Sequence, residues 1–462
     1  MNTYTYQDFE KSEDWAKFVL SAISAHKNSD DYKTAVTADL YDAQKNKTIN
    51  EYVKFMFTLS GSKVEDYTAS NNKLASNFFN RLNTQRCLYS LGNGVSFLQP
   101  DEPQEEGDKT KEKLGKHFDH RIKEAAYYAL IHKVSFVFWN YDHIHYFKFT
   151  EFVPLWDEDD GSLKAGIRFW RIADNKPMTA VLYTADGYIK YHEEGSKLIP
   201  ETEKLVAYKS TMAYVPIDGE STVVGEENYG TLPIVPMWAS RLKQSTLIGM
   251  QQSIDSYDLI KSGFANDMTD CSMIYWLVEN YGGMEDEDLA RLRDRMKLTH
   301  FLPADTSQGG KITPYTQEVP YQARDSYLTL IRNGLYEDFG ALDVHTVAAG
   351  ATNDHIDAAY QPMDENAADF EYWVGECIEQ ICTLAGVDDT PVFKRNRISN
   401  QLEQVQMVAQ EAQWLNQQTI LKKLPNISAE EVIAIMKSVD EEDADRVQLG
   451  TEGLVDQPLI EE

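Results

Sequence analysis

The sequence predicts a mixed α+β fold in which helical segments flank a β-rich block. Three observations carry this. Between residues 134 and 238, apolar and polar residues alternate in short runs broken by turn residues. From residue 244 the period changes, and Leu247, Met250, Ile254, Tyr257, Ile260, Phe264 and Met268 recur at steps of three and four. Between 320 and 385, two further helix-like stretches enclose a loop of small residues, Gly340–Asn353 (GALDVHTVAAGATN).

Residues 8–60 read as helices and turns ending in Tyr52–Leu59. Leu74, Phe78 and Leu82 then recur at helical spacing, and Gly92-Asn93-Gly94 signals a turn into a short strand, Val95–Leu98. An acidic loop, Pro100–Asp108, leads to a helix over 112–132 with Leu114, Phe118, Ile122, Ala125, Ala126 and Ala129 in register. Phe136 and Phe138, then Ile144, Tyr146, Phe147 and Phe149, predict antiparallel strands around a turn at Asn140–Asp142. Asp157–Gly161 makes another turn, and 165–172 and 180–183 continue the meander, with Gly187 and Gly195 punctuating it.

In the six-turn helix, Gln251, Asp255, Asp258, Lys261 and Asp267 fall off the apolar stripe and are expected on other faces. A strand over Ser272–Val278 and a charged helix over Glu285–Leu298 make 271–319 a small α/β insertion, bounded by Gly and Pro residues. A second helix spans Gln322–Phe339, with Leu328, Ile331 and Leu335 in register. A third spans 366–385, carrying Phe370, Val374, Cys377, Ile378 and Ile381. A helical pair, 398–418 and 428–438, precedes an acidic tail.

The bulk numbers exclude several classes. A formal charge of -30 (44 basic against 74 acidic residues) is the reverse of a nucleic-acid-gripping footprint. It disfavours tight phosphate binding over most of the surface, but not a protein that lets DNA pass without sticking. No run of 18 apolar residues predicts a membrane span, and the first residues lack the pattern of a secretion signal, so the expectation is a protein that stays in the cytoplasm or in something assembled there. The four cysteines form no CxxC pair, and Cys377 and Cys382 read as buried helix thiols.

Catalytic signatures are missing. There is no GxxxxGK[ST], no GxGxxG after a strand, no GxSxG and no HExxH. The pairs His117/His120 and His143/His145 read as exposed edges rather than metal ligands, and Asp157–Asp160 as a solvated turn lacking the order of a calcium loop. The expectation is no enzyme, no cofactor and no metal. The loop reads either as a connector or as a moving part, because small residues admit several backbone conformations.

The order of these elements and several local motifs resemble the portal proteins of tailed bacteriophages, particularly those with long non-contractile tails that infect Gram-positive hosts. The likeness extends over residues 38–436. Asn71–Phe79 followed by Tyr89-x-x-Gly92-Asn93-Gly94-Val95 is similar to a family stretch N-x-x-x-x-N-F … Y-x-x-G-x-x-V. Residues 125–141 resemble its helix-strand step, with Leu130-Ile131-His132 where a glycine is common, so a different turn is expected there. Phe152–Asp157, Leu232–Met237, Ile398–Glu403 and Thr419–Pro425 are similar to further segments. The most specific match is Ile254-Asp255-Ser256-Tyr257-Asp258 with Phe264-Ala265-Asn266-Asp267. The chain departs from the family after the loop, where Asn353–Tyr360 replaces a G-N-x-S-G pattern.

The resemblance implies a portal fold: a wing over 1–243, a stem helix over 244–270, a clip over 271–319 and a second stem helix over 320–340. A tunnel loop would follow over 341–363, a wing helix over 364–397 and a crown over 398–462. It implies a homo-oligomeric ring, usually a dodecamer, at the portal vertex of the virion, assembled in the host cytoplasm. Double-stranded DNA would pass through it during packaging and ejection. Large terminase, head–tail connector or adaptor, capsid and scaffolding proteins would be its partners, with no membrane. Val344, His345, Thr346, Val347, Asn353 and His355 would belong to the DNA-facing loop. Ile254, Tyr257, Ile260, Phe264, Met268, Leu328, Ile331 and Leu335 would pack the stem and ring. Another acidic capsid or connector protein is the alternative, and a carbohydrate-active enzyme built on the aromatic strands is a third reading.

Overall fold

The structure, a computed structural model, describes residues 4–57, 61–67, 69–97, 110–214, 221–270, 275–279, 287–288, 291, 311–315, 321–343, 353–397, 401–412, 414–416, 419–421, 432 and 435–438. Two compact units divide the chain. One comprises Met1–Ala341 with Asn366–Arg395, the other Leu342–Glu365 with Asn396–Glu462. Helices and sheets are both extensive, as the α+β prediction requires.

The first unit opens with helices α1 (Tyr6–Glu10), α2 (Trp15–Asn28), α3 (Asp30–Asp42) and α4 (Lys47–Asn50). Asp14 and Ser29 accept hydrogen bonds from Lys17 and Tyr32 backbone N–H groups, capping α2 and α3. A hairpin of β1 (Phe55–Phe57) and β2 (Lys63–Glu65) follows, where the sequence reading had helices and turns. The cause is visible in Phe55-Met56-Phe57, an aromatic-rich triplet that suits a pleated strand better than a helix.

Helix α5 (Phe78–Leu91) starts four residues later than the Leu74 spacing suggested. Residues 69–77 are irregular, and the backbone N–H groups of Asn72, Leu74 and Ser76 bond to side chains distant in sequence. Strand β3 (Val95–Ser96) pairs with a late strand, Val392–Phe393.

Helix α6 (Phe118–His132) runs straight into β4 (Val134–Trp139). The turn between them is made by Lys133 at φ 94°, the left-handed region that favours glycine. Its ammonium pairs with Asp31 at 2.7 Å. The expected difference at this turn is therefore a lysine held in a glycine conformation.

The β-rich block spans the predicted 134–238. Its three-stranded sheet orders β13 (Ile234–Trp238), β4 and β5 (Ile144–Lys148). Its five-stranded antiparallel meander runs β6 (Phe152–Trp156), β7 (Leu163–Trp170), β8 (Thr179–Thr184), β9 (Gly187–Glu194) and β10 (Lys197–Pro200). A separate ribbon pairs β11 (Lys209–Tyr214) with β12 (Ser221–Glu227).

All six residues of β4 are buried, because each face of this strand meets a different core. Val134, Phe136 and Phe138 pack with Phe147, Phe152 and Tyr183, whereas Val137 and Trp139 pack with α5 and α6. Helices α1 and α2 cover the meander through Phe9, Phe18 and Ile23.

Gly166 on β7 lies under the Phe152 ring, where an added Cβ would sit 2.0 Å from Cζ. Phe152 is itself locked against Phe136 and Phe147 at ring-centroid distances of 4.3 and 5.7 Å. Gly166→Ala should therefore lower unfolding free energy by about 1–3 kcal/mol. Urea denaturation checks it; an unchanged midpoint would mean that the ring moves freely.

Helix α7 (Leu247–Asp270) follows, about 36 Å long at 1.5 Å per residue. Strands β14 (Tyr275–Glu279) and β15 (Lys311–Tyr315) pair antiparallel within 271–319. Most of it, including the bulk of the predicted Glu285–Leu298 helix, lies outside the described residues. Helix α8 (Tyr321–Phe339) returns along α7.

Helix α9 spans Asn353–Leu384, thirteen residues earlier than predicted. Pro362 lies inside the helix, where Ile356, Tyr360 and Met363 continue the buried stripe that proceeds through Ala367, Phe370 and Val374. Burial of that stripe outweighs the hydrogen bond lost at the proline. The segment 353–363, expected as loop, is helical. In the second unit, α10 (Gln401–Glu411) lies within the first member of the predicted C-terminal helical pair, and residues 435–438 of the second are helical.

Candidate functional site

The long helix α7 carries two families of side chains. Leu247, Met250 and Ile254 are buried, as the stripe predicts. Beyond Ile254 the buried positions are Asp258, which the periodicity had assigned to another face, Ser262 and Asn266. The predicted packing residues Tyr257 and Ile331 are partly buried against the same core, Ile260, Phe264 and Leu328 are half-buried, and Met268 is exposed. Ile254 and Leu335 are enclosed in their own subunit's core.

The polar series has a specific partner. Asn266 Oδ1 accepts the Asn72 backbone N–H at 2.6 Å, Ser262 Oγ accepts that of Leu74 at 3.0 Å, and Asp258 Oδ1 accepts that of Ser76 at 2.9 Å. Alternate N–H groups of an extended chain recur about every 6.6–6.8 Å, and helix positions four apart recur every ~6.0 Å. The two periods match closely over three rungs, with the strap 72–76 running antiparallel to the helix. Backbone groups that would be orphaned in an irregular segment are thereby satisfied.

Asn46 closes the ladder, its amide donating to Ser76 O at 3.0 Å and to Asp258 Oδ2. Burial pushes the Asp258 carboxyl above the usual carboxylate range; bonds from Asn46 and Ser76 oppose the shift. Sequence reasoning missed these residues. Their signal was three short polar side chains at steps of four.

Helix α8 is fastened to α7 at both ends. Arg324 pairs with Asp267 near the end of α7. Tyr336 and Tyr257 both pack on Phe78, at 6.4 and 5.0 Å between ring centroids. Tyr41 donates to Asp255, and burial with that carboxylate pushes the phenol up to about 12.

At the far end of α8, Gly340 takes φ 62° and closes a Schellman turn: its N–H reaches Glu337 O at 3.0 Å and that of Ala341 reaches Tyr336 O at 2.9 Å. Arg86 donates to Phe339 O at 2.6 Å with its guanidinium 4.0 Å from the Phe339 ring centre, and Asn366 donates to the same carbonyl at 3.3 Å. Burial pulls Arg86 down to about 10, so it remains charged at neutral pH and faces the negative end of the helix.

The loop thus leaves from a fixed point. Val344, His345, Thr346 and Val347 lie outside the described residues. Asn353 begins α9, and His355 is an exposed helical residue, so neither belongs to the loop as expected. Within the second unit, Arg397 bridges Asp357 at 3.0 Å and also Asp364, fixing the first turns of α9.

Among the described residues, no group of three or more His, Cys, Asp or Glu is placed to hold a metal, and no helix is long and apolar enough to cross a membrane. His143 and His145 face each other at 2.8 Å beside Asp142, and His117 and His120 are exposed. Cys87 and Cys382 are buried, with thiols pushed up to about 12. The Asp157–Asp160 turn satisfies itself, Asp157 accepting from Asp159 N–H and Asp160 from Ser162 N–H.

The family model described as phage portal protein, SPP1 Gp6-like, matches residues 21–446. A portal protein of Clostridium phage phiCD119 is 24% identical over 209 residues, 43% of this chain and 46% of that protein. A portal protein of Bacillus phage SPP1 is 24% identical over 256 residues, 48% of this chain and 50% of that protein. The chain therefore spans about half the length of the curated relatives it matches. A solved structure described as the neck of an empty GTA particle computed with C6 symmetry aligns with a TM-score of 0.44 and 9% identity, over 74% of this chain and 88% of that one. That likeness is too slight to carry an argument.

Proposed function

Because the chain belongs to the SPP1 Gp6-like family of phage portal proteins, we propose that it forms the ring-shaped channel at one capsid vertex through which double-stranded DNA is packaged and ejected. The observation that carries this reading is the antiparallel pair α7 and α8. One end of the pair leads into the 271–319 segment that holds β14 and β15, and the other opens into the loop at a fixed point beside Arg86. An outward docking element and an inward loop on opposite ends of one stiff strut suit a conduit.

In this reading α7 and α8 are the stem, 271–319 the clip that meets large terminase and then head–tail connector proteins, and 134–238 the core of the wing. The segment 341–352 is the tunnel loop, shortened from 341–363 by the early start of α9. Residues 398–462 are the crown, and capsid and scaffolding proteins surround the ring. A dodecamer of chains at -30 each repels phosphates within a Debye length of about 8–10 Å. DNA then slides without lasting contacts. The chain acts as a structural conduit, with packaging energy supplied by a separate motor. Packaging assays with the loop altered and negative-stain microscopy of the purified protein test the reading.

A further inference from the structure

Residues 51–67 form a feature that the strut and the loop do not use. Strands β1 and β2 make a sheet of two strands, with all six residues exposed. Phe57 is 75% exposed, Phe55 53%, and Tyr67 just beyond the hairpin 85%. On the opposite face, Met56 and Val64 stand across from each other, also exposed. A ribbon of two strands with apolar side chains on both faces is marginal in water by itself, and such a cluster marks a contact surface. Its charge is nearly balanced, with Lys54 and Lys63 against Glu51, Glu65 and Asp66. In a chain of -30, two copies repel least through such a face.

The hairpin's position specifies its occupant. The strap follows it directly, with Lys73 Nζ donating to Asn50 O at 2.6 Å and Asn72 bonded to Asn266. The hairpin base is therefore level with the last turn of α7. That same end exposes Met268 at 59% and Tyr321, at the start of α8, at 60%. One chain thus bears two unlike apolar patches at one level along the strut. A head-to-tail ring contact requires this arrangement, since one patch of each copy meets the other patch of the next.

We propose that the β1–β2 hairpin of one copy packs on the Met268–Tyr321 end of the helix pair in the next, as an intersubunit clasp. The inference rests on the ring reading above. Full-length Phe57→Asp and Met268→Asp variants should keep the wild-type circular dichroism and melting, because both side chains are exposed. Each should reduce ring assembly by at least about tenfold, read by native mass spectrometry and microscopy. A Phe57→Cys/Met268→Cys variant treated with a short bis-maleimide should give a ladder of covalent oligomers that neither single variant gives.

Rings that persist in both Asp variants overturn the clasp and leave the ring reading standing. Loss with Met268→Asp alone assigns the hairpin to a different partner and also overturns the clasp. A wild-type protein that never assembles overturns both.

Discussion

Asp258→Leu is expected to destabilise the chain by about 2–5 kcal/mol and to unfasten the strap. The buried Ser76 backbone N–H loses its acceptor and the Asn46 amide keeps only Ser76 O, and each such lost bond costs about 1–3 kcal/mol. Leu fills the space but accepts nothing. Urea unfolding should show the loss, and limited proteolysis should cut within 69–77 faster than in the wild type. Wild-type stability with an intact strap would mean that the ladder holds nothing.

Asp258→Asn separates charge from shape. The folded carboxyl is raised above its unfolded value of 3.8, so between those values the native state keeps a proton that the unfolded state has lost. The contribution from Asp258 is therefore complete below 3.8 and declines as pH rises through the folded value. The stability of the wild type relative to Asp258→Asn should fall over that window. A difference that grows with pH would place the hydrogen bonds above burial.

Deleting Val344–Ala351 should abolish most DNA packaging while leaving rings intact. The departure point at Phe339 is held by Arg86 and Asn366, and the first turns of α9 are held by Arg397. None of these contacts involves the deleted residues. What disappears is the segment proposed to project into the channel. DNase-protected DNA per particle measures the effect, and normal packaging would reduce the loop to a connector.

The sequence displayed the periodic parts of this molecule well. Alternation over 134–238 found the β-rich block, and the stripe of α7 found the first long helix, because one-sided burial writes itself directly into spacing. Three features were hidden for identifiable reasons. The burial of Asp258, Ser262 and Asn266 depends on a strap nearly two hundred residues away in sequence, which the helical period of apolar residues does not show. The helical segment 353–363 was expected as loop, because local spacing does not weigh the burial of Ile356, Tyr360 and Met363 on one face. Arg86, which anchors the loop's departure, sits in α5 with no local motif to announce it. The family resemblance had named both Asn71–Phe79 and the Ile254–Asp267 region without saying why they go together. The ladder supplies the reason: the two motifs bond to each other.

The most direct test of the central claim is negative-stain electron microscopy of the purified full-length protein, averaged down the particle axis. The account predicts closed rings with rotational symmetry around a central hole. A strictly monomeric particle at high protein concentration would contradict it.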